Sequence, residues 1–271
     1  MTAPARPLQY VEMEASPALS DVVMTYWGFQ VHALPSPDFV HRVWPDGCVS
    51  LAVAYRQHTC CAAVIVGPSM VAGTVPVEAG TRYWGIRFRP ESGAVSCARD
   101  ASGLRDTRVL AAEVFGDRMQ PLLEALRWVT DSDAAARSMD AWLLHHRVPA
   151  HTVDALVRDA VRHIVRADGR CRMQEVADAV HLTVRQLQRR FRAATGLTPK
   201  EYANIRRARA ALKRVLSGER PGKLGGWARV AAESGYADQA HLARECGRLL
   251  NLTPTMLSNR LGDITHDRLI D

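Results

Sequence analysis

No stretch of this chain is apolar for anything near the roughly 18 consecutive residues that a membrane-crossing helix needs. The opening MTAPARPLQYVEMEAS lacks the charged-then-apolar pattern of a secretion signal, so a cytoplasmic protein with no membrane partner is expected. Six cysteines are scattered without a CxxC pair, and reduced, mostly buried thiols are the simplest reading. Cys60 and Cys61 are adjacent, but neighbours on a strand point to opposite faces, which disfavours a soft-metal site or oxidant sensor there. The ten histidines form no HxH or HExxH motif, so neither a metal nor a cofactor is expected. Lysine is scarce as well: Lys200, Lys213 and Lys223 are the only three among 35 basic residues. That bias can reflect genome composition, so arginine richness alone is not evidence of phosphate recognition.

What is present is enough for packed domains. The 271 residues are 47% apolar and 23% charged, which excludes disorder and collagen-like structure and allows one large or two medium domains. The net charge of +7 divides unevenly. Residues 1–150 carry 13 basic and 15 acidic side chains, whereas residues 151–271 carry 22 and 13. Only the second half is built to meet a polyanion.

The first hundred residues read as strands and turns. Pro45-Asp46-Gly47 signals a turn before a β-rich run, and AAVIVGP stops at Gly67-Pro68. In RYWGIRFRP, Trp84, Ile86 and Phe88 alternate with Tyr83, Gly85, Arg87 and Arg89, the period of a half-buried strand. From about residue 107 the spacing is helical, through Leu122, Leu126 and Val129 and then Met139, Trp142 and Leu143. These predict a helical hairpin over 107–147, whose apolar stripe either forms a homodimer surface or packs on the preceding sheet. A linker is expected at 148–154, then an all-helical region over 155–262 and a tail at 263–271. The fold class is α+β, with a β-rich domain over 1–106.

The basic half repeats itself. VADAVHLTVRQLQRRFRAATGLTP (176–199) resembles VAAESGYADQAHLARECGRLLNLTP (230–254), each a short helix, a tight turn and a longer helix. That is the order of a helix-turn-helix, whose second helix enters the DNA major groove. Thr183 and Gln186 form a capping box, and Gly196 stands where a left-handed helix terminus is wanted. Val184, Leu187, Phe191 and Ala194 share one face, while Arg185, Gln188, Arg189 and Arg192 share the other. Arginine reads guanine and glutamine reads adenine, each good pair giving about 1–3 kcal/mol of discrimination. In the second copy Leu242, Cys246 and Leu249 form the buried face, and only Gln239 and Arg244 are strong base-reading candidates. An asymmetric reader of double-stranded DNA follows. The first module supplies most discrimination and the second mostly positions phosphates.

Between the copies, Thr198, Pro199 and Glu201 start a long helix with Ile205, Ala208, Leu212 and Val215 as its apolar stripe. It can hold two reading helices one DNA turn, about 34 Å, apart. Thr183, Arg192, Lys200, Arg206 and Arg207 are the expected contacts to the DNA backbone. Residues 185–214 hold ten basic side chains against the single acid Glu201. SGERPGKLGG (217–226) then reads as a flexible connector.

With these motifs, residues 155–260 resemble the DNA-binding domain of the AraC family of transcription regulators. The resemblance places Arg185, Gln188 and Arg189 at the base-facing positions of the first module, and Gln239, Ala240, His241 and Arg244 at those of the second. Cys246 and Asn251 depart from the family's usual aromatic and glycine, although asparagine tolerates the left-handed conformation. WPDGCVSL, the VGP turn and GIRFRP resemble the sensor region of a subset of the family. This implies a cupin-like barrel that binds a small-molecule effector, without the cupin metal set. Trp27, Trp44 and Trp84 then either line an aromatic pocket, with Arg87 or Arg89 meeting an anionic ligand, or the tryptophans are core and the arginines surface. An activator would also meet RNA polymerase. Two other classes remain open: a DNA-targeted alkyl transferase with a reactive cysteine, and a thiol redox switch through Cys171 or Cys246.

Overall fold

In the computed structural model the described residues are 7–146, 153–216, 226–253 and 256. Most of the expected linker, nearly all of the connector and the whole expected tail lie outside them. Eight strands come first: β1 (Leu8–Met13), β2 (Val23–Val31), β3 (His41–Val43), β4 (Ser50–Arg56), β5 (Thr59–Val66), β6 (Gly73–Val75), β7 (Thr81–Phe88) and β8 (Arg108–Leu110). Six of them form an antiparallel sheet in the order β1-β2-β7-β4-β5-β8, and β3 pairs with β6 in a separate two-stranded ribbon. The β4–β5 hairpin turns through Gln57 and His58, both at positive φ (48° and 63°), the conformation that a two-residue hairpin loop demands. Just beyond it the register slips, so that Tyr55 faces Cys60 and Ala54 faces Ala62. Cys61 is the extra residue of this bulge and is exposed, while Cys60 packs toward the core.

Both faces of the large sheet are used. On one, Tyr26, Leu51, Val53, Ile65, Trp84, Ile86 and Phe88 form a core with the helices that follow. These are α1 (Gly93–Ser96), α2 (Ala101–Leu104), α3 (Ala111–Phe115), α4 (Gln120–Arg127) and α5 (Ser132–His146). The predicted stripe of Leu122, Leu126, Met139, Trp142 and Leu143 is buried in this core, so it packs on the sheet instead of facing a second copy. Within the stretch expected to be helical, Arg108–Leu110 instead forms β8, because it pairs with Val64–Val66 at the sheet edge.

Crossing tryptophans fix the sheet's two faces. Trp27 stands opposite Gly85 and Trp84 opposite Gly28 on the neighbouring strand. A Cβ on Gly85 would lie 2.0 Å from the Trp27 ring, and one on Gly28 would lie 2.4 Å from the Trp84 ring. Each indole therefore lies flat over a glycine, one indole on each side of the sheet.

The second half is helical: α6 (Ala155–Arg166), α7 (Met173–Ala179), α8 (Val184–Thr195), α9 (Pro199–Leu216), α10 (Gly226–Glu233) and α11 (Gln239–Leu250). Val157, Ile164, Val176, Leu187, Phe191 and Tyr202 form its centre, and Ile205, Ala208, Leu212 and Val215 carry that core along α9 toward Val230, Leu242 and Leu249. Trp44, Met70 and Ala72 from the β-rich half join the same core. Gly47, at φ +76°, lies against the Tyr202 ring, where a Cβ would approach to 2.7 Å.

Candidate nucleic-acid interface and the cavity behind it

Both α8 and α11 begin and end as their sequences dictate. Thr183 caps α8 and Gln186 reaches back to its backbone, a reciprocal box that satisfies two otherwise unpaired donors. Gly196 ends α8 in the left-handed region at φ 75°. Leu187 and Phe191 are fully buried, which rotates Arg185, Gln188, Arg189 and Arg192 outward, all exposed. Asp238 caps α11 through a 2.6 Å bond from the His241 N–H, and Asn251 closes the helix at φ 52°. Gln239 and Arg244 are exposed, while the His241 ring is half-buried edge-on against Tyr236. Ala240 and Gly247 are also exposed and offer no hydrogen-bonding side chain on that face.

Among the expected backbone contacts, Thr183, Arg192 and Lys200 are exposed. Arg206 and Arg207 are used otherwise. Arg207 donates to Gly235 O at 3.4 Å and to Asn204 Oδ1 at 3.3 Å, and its guanidinium sits 4.6 Å above the Tyr236 ring. It clasps α9 to the turn of the second module. Half-buried Arg206 lies on the side of α9 where its charge acts on Tyr202 and Cys48. Helical spacing identified these arginines as basic but not the neighbours that claim them.

The face of the sheet opposite the helices bounds a cavity of about 300 Å³, closed by the β3–β6 ribbon and the loops flanking it. Trp27, Trp44 and Arg87 line it. Trp84 does not: it shares strand parity with Ile86 and Phe88, and so points into the core on the far side of the sheet. Tyr10, Phe29, His41 and Tyr83 complete an aromatic wall, with Tyr10 stacked on Trp27 and Phe29 on His41. Strand parity with Trp27 and Arg87 was the sequence signal for Phe29 and Tyr83; Tyr10 and His41 lie on other strands and had none.

Arg87 is not a surface arginine; it is only 8% exposed. Its Nη1 meets Glu12 Oε1 at 3.1 Å and its Nε lies 2.8 Å from Asp46 Oδ2. Tyr10 Oη donates to the same Glu12 oxygen at 2.7 Å. Burial works against the Arg87 charge, but Asp46, then Tyr10, Cys48 and Glu12, more than offset it and hold the guanidinium ionised. Burial lowers His41 to a pKa of about 4 and pushes the Cys48 thiol well up, so both are uncharged at neutral pH. The Cys97 and Cys246 thiols are likewise raised by burial to about 12, the opposite of what a reactive thiolate needs.

The ribbon has a second side. Ala72 N–H donates to Leu249 O at 2.8 Å and Arg42 Nη1 to Leu250 O at 3.4 Å, so two of the last carbonyls of α11 are satisfied from the β-rich half. Arg42, Val43, Val71, Gly73 and Val75 line the cavity, Met70 and Ala72 enter the helical core, and Trp44 does both. Elsewhere along the junction, Arg209 is buried and donates to Pro45 O at 3.4 Å.

Comparison with known proteins bears on both halves. Residues 176–260 match a family model described as a helix-turn-helix domain. Residues 11–110 match one described as a domain of unknown function (DUF6597). No curated protein matches the chain. Among solved structures, ToxT from Vibrio cholerae O395 is similar at 10% identity and a TM-score of 0.44, covering 95% of this chain and 97% of that one. A ToxT structure with bound unsaturated fatty acid, from V. cholerae strain SCE256, is similar at 12% identity and a TM-score of 0.42, covering 96% and 97%. No described helix is long and apolar enough to cross a membrane. Residues 176–260 therefore form a helix-turn-helix domain, the kind of module that binds DNA.

Proposed function

We infer that the chain reads DNA bases chiefly through Arg185, Gln188 and Arg189 on α8, uses α11 mainly to hold the duplex, and adjusts that hold according to whether its cavity is occupied. What supports the last step is the β3–β6 ribbon, which is a wall of the cavity and which, through Arg42 and the adjoining Ala72, also bonds the last carbonyls of α11. A ligand that shifts the ribbon changes the free energy of α11 in its docked position. This is the differential interaction that any coupled regulator requires.

The test starts by selecting a binding site for the full chain from a random-sequence duplex pool and mapping protected bases. Ala52→Phe, which fills the cavity from β4, is then compared with the wild type on that site. The expected result is discrete protection in both, with the segment facing α11 altered in the variant and the melting temperature retained. Unaltered protection overturns the coupling. Failure to select any sequence overturns base reading.

A further inference from the structure

Resting on the reading of the cavity as an effector site, we propose that it takes an uncharged, largely aromatic small molecule and discriminates against carboxylates. Its size is at the lower end of ligand pockets, and its walls are predominantly apolar. The one fully buried cation lining it, Arg87, is already shared between two carboxylates, those of Glu12 and Asp46. Behind Asp46 lies buried Arg209, with half-buried Arg206 beside it, so Asp46 is held by cations on both sides and is not free to leave Arg87. An anionic ligand must either displace Glu12 or Asp46, leaving a buried carboxylate unpaired, or remain unpaired itself. Both are strongly unfavourable in a desolvated site. A cation meets the same difficulty with the signs exchanged. Of the other arginines in the lining, half-buried Arg42 turns Nη1 toward the Leu250 carbonyl of α11, and Arg108 is exposed, where water screens its charge. The hydroxyl of Ser50, also in the lining, carries no charge. Tyr10, Trp27, Phe29 and Tyr83 give the walls a largely aromatic lining that suits an aromatic ligand.

Three probes on one frame test the claim: 2-naphthylmethanol, 2-naphthoate and 2-naphthylmethylammonium, titrated into the full chain by calorimetry. The alcohol is expected to bind at least tenfold more tightly than either ion, and Ala52→Phe is expected to abolish its binding. A carboxylate that equals or exceeds the alcohol overturns the proposal, as does alcohol binding that Ala52→Phe leaves intact. Glu12→Gln frees part of Arg87, and the handicap of 2-naphthoate relative to the alcohol should shrink at least tenfold. An unchanged ratio in a folded variant also counts against it. If none of the three binds a chain that still selects and protects DNA, the effector reading itself falls and the DNA reading stands.

Discussion

Arg105 grips Glu201 with two hydrogen bonds, Nη2 to Oε1 at 2.9 Å and Nη1 to Oε2 at 3.2 Å, across the junction between the β-rich half and the start of α9. Glu201 is at the same time the capping residue of that helix, accepting from the Thr198 N–H at 2.7 Å. One carboxylate therefore both starts the helix between the two DNA-reading modules and anchors it to the other half. Burial alone would raise the Glu201 pKa, but Arg105 and the Thr198 donors lower it below the ordinary carboxylate range. The stabilisation is thus complete above the unfolded value of about 4.3 and is lost as pH falls through the lower folded value. Arg105→Ala should lower stability at pH 7 by about 1 kcal/mol, a figure limited by partial exposure. The gap to wild type in chemical denaturation should narrow below pH 4. A gap that is constant with pH would assign the loss to packing instead of charge.

His41 gives an acid response of separate origin. Burial holds its folded pKa at about 4, below the ordinary value of about 6.5. Its depressed pKa means that full stability is present above pH 6.5 and declines as pH falls toward 4, where the folded form also protonates. Replacement by phenylalanine keeps the stack on Phe29 and should flatten melting temperature across that window. A wild-type slope surviving in His41→Phe would trace the effect to another group.

The glycines under the tryptophans give opposite predictions for ligand binding. Gly85→Ala drives a methyl into Trp27 and hence toward the cavity, whereas Gly28→Ala presses on Trp84 in the core. Each should cost about 1–3 kcal/mol of stability by overpacking. Only Gly85→Ala should also weaken ligand binding, as calorimetry on the folded fraction would show.

On DNA, Arg189→Ala is expected to cost about 1–3 kcal/mol and to relax preference at one base position. Arg244→Ala should weaken binding with little change of preference. The comparison uses a set of single-base variants of the selected site, and equal loss of preference from both substitutions would refute the asymmetry.

Salt dependence separates phosphate contacts from internal clasps. Lys200→Ala should lower the slope of log affinity against log salt by about 0.9, the contribution of one neutralised phosphate. Arg207→Ala should leave the slope nearly unchanged and lower melting temperature instead, because that guanidinium is held by Gly235, Asn204 and Tyr236. A slope change equal to that of Lys200→Ala would return Arg207 to the DNA surface.

Local chemistry made the DNA-reading modules legible in the sequence. Thr183 with Gln186, Thr198 with Glu201, Gly196 and Asn251 all act within a few residues of their own position, and each sits in the structure as its neighbours dictate. The cavity was harder, because its parts come from β1, β2, the ribbon and β7. Alternation along RYWGIRFRP already set Trp84 and Arg87 on opposite faces, so a single pocket lined by both was excluded by parity alone. What alternation could not reveal is that both faces are covered. That depends on the return of the α3–α5 segment to one side and of the ribbon to the other. Arg87 was consequently open to reading as a ligand contact or a surface charge, and Asp46 as a turn residue only, when the two meet at 2.8 Å.

The place of Trp44, Met70 and Ala72 in the core of the helical half changes how the chain can be rearranged. The two halves are not separable cassettes joined by a tether. The helical half's own apolar interior is finished by three residues that arrive from the β-rich half. A chimaera that grafts this helical half onto a foreign β-rich half must import a matching plug, or expose an apolar socket beside the last helices. Exchange of halves between relatives is therefore constrained by the fit of this plug as well as by what each half binds.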